Sequence, residues 1–461
     1  MATLVLDRLK ESATGTVSLA EILSALSFAL DLTEGAVPGH ALRSCVLGMR
    51  IAEEVGLPAS QRASLYYALL LKDVGCSSNA ARLCQIIGGG DERRVKAGVK
   101  LEDWTRPTRP KASTLRLLWS SVLPDGTAMA RIAGIARIGL TQHRNNEEMI
   151  QLRCDRGAHI LRKLGLGDRA AEAVRGLDEH WDGSGYPERR IGEAIPLESR
   201  ILAVAQHLDV FAGERGTEEA MQVLRERSGR WFDPELVRVI EDLQAEGRLW
   251  RAALPGTPET ETRQAALDLA PEEVHKLEAS GIDLICEAFA DVVDAKSSFT
   301  FRHSVGVTGA ALRIAHSLGL SEDRLRFVNR AALLHDLGKL GVPNSILDKP
   351  GKLDASQWQV VQDHPRLTHE ILSRIGSFGE LAFIAGAHHE KLDGSGYPNH
   401  LFGDFLPLEA RIIAVADVYG ALTEDRPYRA GLSHEQALAI LRSDIPHRLD
   451  ADCVEALEAE L

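Results

Sequence analysis

Apolar residues recur at three- and four-residue spacing along most of the chain, as in "LSEDRLRFVNRAALLHDLG" (Leu320 to Gly338), which is the period of a helix with one face turned to a core. Runs of alternating β-branched residues, the mark of half-buried strands, are nearly absent. The pattern predicts an all-α fold.

The pattern also occurs twice. "FALDLTEGAVPGHALRSCVLGMRIAEEVGL" (Phe28 to Leu57) falls on "DVVDAKSSFTFRHSVGVTGAALRIAHSLGL" (Asp291 to Leu320) at a constant offset of 263, which carries His40 to His303. At the same offset "LLKDVGC" (Leu70 to Cys76) falls on "LLHDLGK" (Leu333 to Lys339). Further on the offset becomes 211: "DGSGYP" at Asp182 to Pro187 matches "DGSGYP" at Asp393 to Pro398, and "IPLESRILAVAQ" (Ile195 to Gln206) matches "LPLEARIIAVAD" (Leu406 to Asp417). The 52-residue difference is an insertion in the first copy, between about residues 77 and 152. The expected organisation is a first domain over 1–250, a linker over 251–274 rich in Pro, Thr and Glu that gives way to a helix, and a second domain over 275–461.

Composition narrows the function. With 53 basic against 66 acidic side chains and a net charge of -13, the 461 residues do not suit a binder of nucleic acid polymers or of membrane surfaces, which need clustered Lys and Arg. No apolar run of about eighteen residues could span a bilayer, and the N-terminus lacks the pattern of a signal peptide, so a cytoplasmic protein without membrane insertion is expected. The six cysteines have no CxxC spacing and read as buried, reduced thiols.

In the second copy, histidines and aspartates fall where a plain helical core would not place them. His303 opens a helix, His335 and Asp336 close one, and His364 stands just before Pro365. His388 and His389 precede the glycine turn, and Asp417 interrupts the apolar run "ARIIAVADVYGAL". A buried, unpaired carboxylate at Asp417 would cost several kcal/mol, so a cation should meet it.

The ordered set, with "HDLGK", "HHEKLDGSGYP", "VPNSILDKPGKL" and "ALTEDRPYR", resembles the HD-GYP family, a branch of the HD metal-dependent phosphohydrolases, over about Ile285 to Arg442. The resemblance implies two tandem HD-type helical bundles and, in the second, a pair of divalent cations, iron or manganese. If Asp336 bridges them as its counterpart does in the family, His303, His335 and Asp417 complete one site, and His364, His388 and His389 the other. Seven residues then supply eight bonds, leaving positions for a water and for phosphate oxygens. The implied reaction is hydrolysis of cyclic di-GMP to pGpG or GMP in bacterial signalling. Lys339 would support the phosphate or the attacking water, Tyr397 would lie against a guanine, and Arg426 and Arg429 would hold phosphate oxygens. Gly394 and Gly396 would supply positive φ for the turn. Phe299 stands where some members carry a glutamate for a third metal, so two are expected.

The first copy lacks the set. His335, Lys339, His364, His388, His389 and Asp417 become Lys72, Cys76, Arg153, Leu177, Asp178 and Gln206, and only His40 and Asp73 remain. It reads as a non-catalytic domain left to form a homodimer, to dock signalling partners such as GGDEF-domain proteins, or to regulate. Two alternatives stay open: a sensor or scaffold that binds the dinucleotide without turnover, and a hydrolase of cyclic GMP-AMP or another nucleotide. His316, His369, His400, His434 and His447 lie outside the ligand pattern and read as surface or packing histidines. "GGGDERR" (Gly88 to Arg94) reads as a flexible loop without room for a cyclase domain, and "WTRPTRPKASTLR" (Trp104 to Arg116) as a solvated one.

Overall fold

The structure, a computed structural model, describes residues 17–103, 105, 112–271, 278–297, 303–425 and 430–461. Among these every regular element is a helix, and β pairing is confined to isolated bridges. None of the helices is long and apolar enough to cross a membrane. The chain divides into a first compact unit, Ser18–His275, and a second built on Lys276–Leu461.

In the first unit the helices are α1 (Leu19–Glu34), α2 (His40–Glu54), α3 (Ala59–Leu71), α4 (Ala80–Ile87), α5 (Glu92–Lys100), α6 (Ala112–Ser121), α7 (Ala128–Lys163), α8 (Gly167–Arg175), α9 (Leu197–Arg215), α10 (Thr217–Glu226), α11 (Pro234–Ala245) and α12 (Glu259–Asp268). The core forms where α2 packs on α3 and α9, burying Leu42, Val46 and Ile51 with Leu69, Ile201 and Val204. In the second unit they are α13 (Ala279–Asp294), α14 (His303–Ser317), α15 (Glu322–Leu334), α16 (Asn344–Leu347), α17 (Ala355–Gln362), α18 (His364–Leu372), α19 (Gly379–Gly386), α20 (Leu408–Thr423), α21 (His434–Asp444) and α22 (Ala451–Ala459). Here α14 packs on α15 and α20, the counterparts of α2, α3 and α9 by the sequence offsets.

Both units anchor the helix that carries their first histidine in the same way. Asp294 accepts from the backbone N–H and hydroxyl of Ser304, and Asp31 accepts from the N–H of Ala41. Each carboxylate satisfies an otherwise orphaned donor of a helix start. Burial raises both, Asp31 to about 7 and Asp294 to about 6.

The repeated glycine turn is a closed loop in both units. Bridges join Asp182 to Ile191 and Asp393 to Phe402. A buried glutamate ties each loop: Glu179 accepts from the N–H groups of Glu188 and Arg190, and Glu390 from those of Asn399 and Leu401. Gly394 has φ +74°, as expected of the turn, but Gly396 is glycine for another reason. A Cβ there would lie 2.4 Å from Glu390 Cα and Lys391 N, so close backbone approach, not positive φ, excludes a side chain.

Within 251–274 the chain is helical over α12, which buries Thr262 and Ala266, and Arg263 bonds Ser24 of α1 at 3.2 Å. Two loop expectations are corrected, both in the insertion. "GGGDERR" is an ordered interhelical turn, in which Gly88 (φ 73°) ends α4 and Asp91 caps α5 through the N–H of Arg93. The described residues of the insertion are largely helical and pack around Leu83, Ile87, Val95 and Val122. Most of "WTRPTRPKASTLR" lies outside the described residues, but Thr105 accepts from Trp231 Nε1 at 3.0 Å, and the chain is helical from Ala112. The six cysteines are buried and none forms a disulfide. His316, His369, His400, His434 and His447 are exposed.

Candidate metal centre

Five separate elements deliver side chains to one point of the second unit. His303 is the first residue of α14. His335 and Asp336 follow α15, where the chain tightens into a 3₁₀ turn, Leu337–Gly341. His364 opens α18, His388 and His389 follow α19, and Asp417 lies inside α20. Gly338 lets the turn meet α18: a Cβ there would stand 2.0 Å from the His364 carbonyl oxygen. Thr368 locks that contact, accepting from Gly338 N and donating to the His335 carbonyl.

The hydrogen bonds fix the tautomers. The Nδ1 atoms of His335, His364 and His388 lie 2.7, 2.6 and 2.6 Å from the carbonyls of Ala332, Val361 and Ala385. A carbonyl can only accept, so each Nδ1 carries a proton, and each Nε2 is the atom that, in the neutral ring, offers a lone pair to a cation. His303 Nδ1 is held by a carboxylate instead, Glu424, at 2.8 Å.

Those Nε2 atoms converge on one another and on two carboxylates. His364 Nε2 lies 3.2 Å from Asp336 Oδ1 and 3.1 Å from His388 Nε2. His303 Nε2 and His335 Nε2 lie 3.4 and 3.7 Å from Asp417 Oδ1, and 3.6 and 3.3 Å from Asp336 Oδ2. His389 Nδ1 is 3.5 Å from Asp417 Oδ2. His303 Nε2, His335 Nε2 and Asp336 Oδ1 are buried without a hydrogen-bond partner. Three triads here have ligand atoms mutually within 4.8 Å: His303, His335 and Asp417; His364, His388 and His389; and His335, Asp336 and His388.

This donor set fits cations. Burial opposes ionisation of Asp336 and Asp417, yet the histidines around both, with Lys339 beside Asp336, hold them well below the usual carboxylate range. Burial works against the charge on His335 too, but Asp336 and Asp417 raise it to about 10. Burial and neighbouring histidines push His388 well down, and burial takes His389 to about 3. Crowded lone pairs beside two buried carboxylates are satisfied best by positive charge placed between them.

Of the remaining expected residues, Lys339 forms an ion pair with Asp336 Oδ2. Tyr397 sits at the rim, its ring 4.8 Å from that of His389 and 6.4 Å from that of the exposed Trp358. Arg426, Arg429 and Phe299 lie outside the described residues. Sequence reasoning missed Glu424 and Trp358.

In the first unit the matching point is filled by the chain's own cations. Lys72 pairs with Asp73, and Lys100 reaches Glu34 at 2.9 Å and Asp73 at 3.7 Å. Lys96 bonds Glu34 at 3.0 Å, and Arg153 pairs with Asp178. Lys96 and Lys100 come from α5 of the insertion, a contribution absent from the expected Lys72 and Arg153. Glu34, Asp73 and Cys76 have ligand atoms close enough for a metal, but three ammonium groups already occupy their surroundings. Burial and the charge of Lys72 lower His40 to about 4. This centre does not fit a metal pair.

The HD domain family matches residues 135–236 and 287–453. The chain belongs to that family of metal-dependent phosphohydrolases, within its HD-GYP branch. It is 42% identical to 3′3′-cGAMP-specific phosphodiesterase 3 of Vibrio cholerae over 456 residues, 97% of this chain and 96% of that one. The crystal structure of a cyclic GMP-AMP specific phosphodiesterase of V. cholerae, V-cGAP3, superposes with a TM-score of 0.66 at 38% identity, covering 97% of this chain and 98% of that one. A shorter match, 47% identical over 148 residues, 31% of this chain and 39% of the relative, is to the cyclic di-GMP phosphodiesterase response regulator RpfG of Xanthomonas campestris.

Proposed function

We propose that the second unit hydrolyses a cyclic dinucleotide, 3′3′-cGAMP, using two divalent cations, iron or manganese, held by His303, His335 and Asp417 on one side, His364, His388 and His389 on the other, and Asp336 between them. The observation that carries this reading is the convergence of four histidine Nε2 atoms on the buried Asp336 carboxylate. When bound, such a pair supplies Lewis-acid charge for a phosphoryl oxygen and a water acidified toward neutral pH.

The chain's residues do the rest. The carbonyls of Ala332, Val361 and Ala385 keep the Nδ1 protons, so that the three rings cannot rotate out of register. Lys339, held on Asp336, offers an ammonium point charge to a phosphate at the same place. Tyr397 and Trp358 present aromatic surface to a purine. Water adds at phosphorus, one bridging P–O bond breaks, and a linear dinucleotide with a terminal phosphate leaves.

The relative matched along nearly its whole length supports 3′3′-cGAMP over the cyclic di-GMP suggested by the family motifs. Cyclic di-GMP is the second reading, favoured by the match to RpfG. Incubating metal-loaded protein with each dinucleotide, separately and in competition, separates them by the linear products on anion exchange. Faster consumption of 3′3′-cGAMP is expected; preferential consumption of cyclic di-GMP reassigns the substrate. Binding without consumption of either means a sensor. Lys339→Ala is expected to lower kcat about 10²-fold, the scale of one lost electrostatic contact, with metal content unchanged by elemental analysis.

A further inference from the structure

We infer that Glu424 is the positioning residue for His303 and that it replaces, one helical turn along, a carboxylate that the first unit keeps on its matching helix. The inference rests on the reading of His303 as a metal ligand.

The two units hold their first histidine by the same nitrogen from different places. His40 Nδ1 lies 2.6 Å from Asp209 Oδ2, inside α9. His303 Nδ1 lies 2.8 Å from Glu424 Oε2, just past the end of α20. At the offset of 211, Asp209 corresponds to Gly420 and Gly213 to Glu424, so carboxylate and glycine have exchanged positions one turn apart. A longer side chain from one turn further reaches the same ring atom.

A third position changes with them. Arg43, which donates to Asp209 through Nε at 2.5 Å, corresponds to Gly306 at the offset of 263. A Cβ on Gly306 would lie 3.2 Å from Glu424 Oε1, tighter than an ordinary contact. A Cβ on Gly420 would lie 3.0 Å from Val307 Cγ2 and 3.7 Å from His303 Cε1. The first unit has Ser44 at the place of Val307. Two glycines and a valine thus surround the route of Glu424, where the first unit has an ion pair and a serine.

The chemical consequence concerns His303 Nε2. A carboxylate on Nδ1–H fixes the ring plane, sets the tautomer and makes Nε2 a stronger donor to a cation, and loss of such a partner typically costs 10- to 100-fold in metal affinity or activity. The other three histidines have carbonyl partners; His303 alone among these four takes a carboxylate. Its half of the centre should therefore respond most to this one contact.

The test is metal retention by the full chain after dialysis against graded chelator, read by elemental analysis beside turnover. Glu424→Ala is expected to weaken retention of one ion per chain about 10- to 100-fold, with turnover recovered in excess metal, and Glu424→Gln to fall between it and the parent. A transplant of the first unit's arrangement, Glu424→Gly with Gly420→Asp and Val307→Ser, is expected to regain most of the lost affinity. Parental retention in Glu424→Ala, or a turnover loss that neither excess metal nor the transplant restores, overturns the positioning role. His303→Ala is the control: if it too keeps its full metal, the metal reading of His303 fails, whereas loss there and not in Glu424→Ala sinks only the role of Glu424.

Discussion

Asp336→Ala is expected to remove turnover, by at least about 10³-fold, the scale of several kcal/mol of lost transition-state charge stabilisation. The reason is geometric. His303 and His335 address Asp336 Oδ2, and His364 and His388 address Oδ1, so one carboxylate serves both triads. Its loss leaves six donors in two groups with nothing shared between them. The variant should fold, because Gly338 and Thr368 continue to hold the turn on α18. A steady-state assay with circular dichroism as the folding check reads the result. Near-parental turnover would mean that the reaction does not run through this centre.

The matching change in the first unit, Asp73→Ala, is expected to act on stability instead. Asp73 is buried beside Lys72, whose side chain is fully enclosed, and within 3.7 Å of Lys100. These cations and His40 hold it well below the usual carboxylate range even though burial opposes its charge. Removing one partner of such a cluster leaves buried positive charge uncompensated, at a cost of about 3–5 kcal/mol. Calorimetry should show the first unit melting earlier, while turnover per folded chain, measured below that transition, stays near the parental value. A turnover loss comparable to that of Asp336→Ala would place chemistry in the first unit; an unchanged melting profile would mean that the cluster carries no net stabilisation.

The pattern of the chain made the helical class and the repeat legible, because periodicity and offset are properties of the sequence itself. The seven histidines and aspartates were legible for a related reason: each stands at a helix end or inside an apolar run, where such groups have few structural uses. Glu424 was not. An acidic residue at the start of a polar loop looks like any solvated charge, and only the fold brings it to a ring 121 residues away. Lys96 and Lys100 were hidden in the same way, since nothing in "ERRVKAGVK" shows that the insertion folds back on Glu34. Gly396 shows a different gap. Glycine can mean positive φ or close approach, and the sequence does not distinguish them until the Glu390 backbone is seen beside it. The helix expected within 251–274 is α12, and only the fold shows that it packs through Thr262 and Ala266.

Elemental analysis of anaerobically purified full chain, before and after Asp336→Ala, tests the bridged centre most directly. Two iron or manganese ions per chain in the parent, falling below one in the variant, is the expected result. A parent that binds at most one ion per chain after saturation, or a variant that keeps two, would contradict a cation pair shared by Asp336.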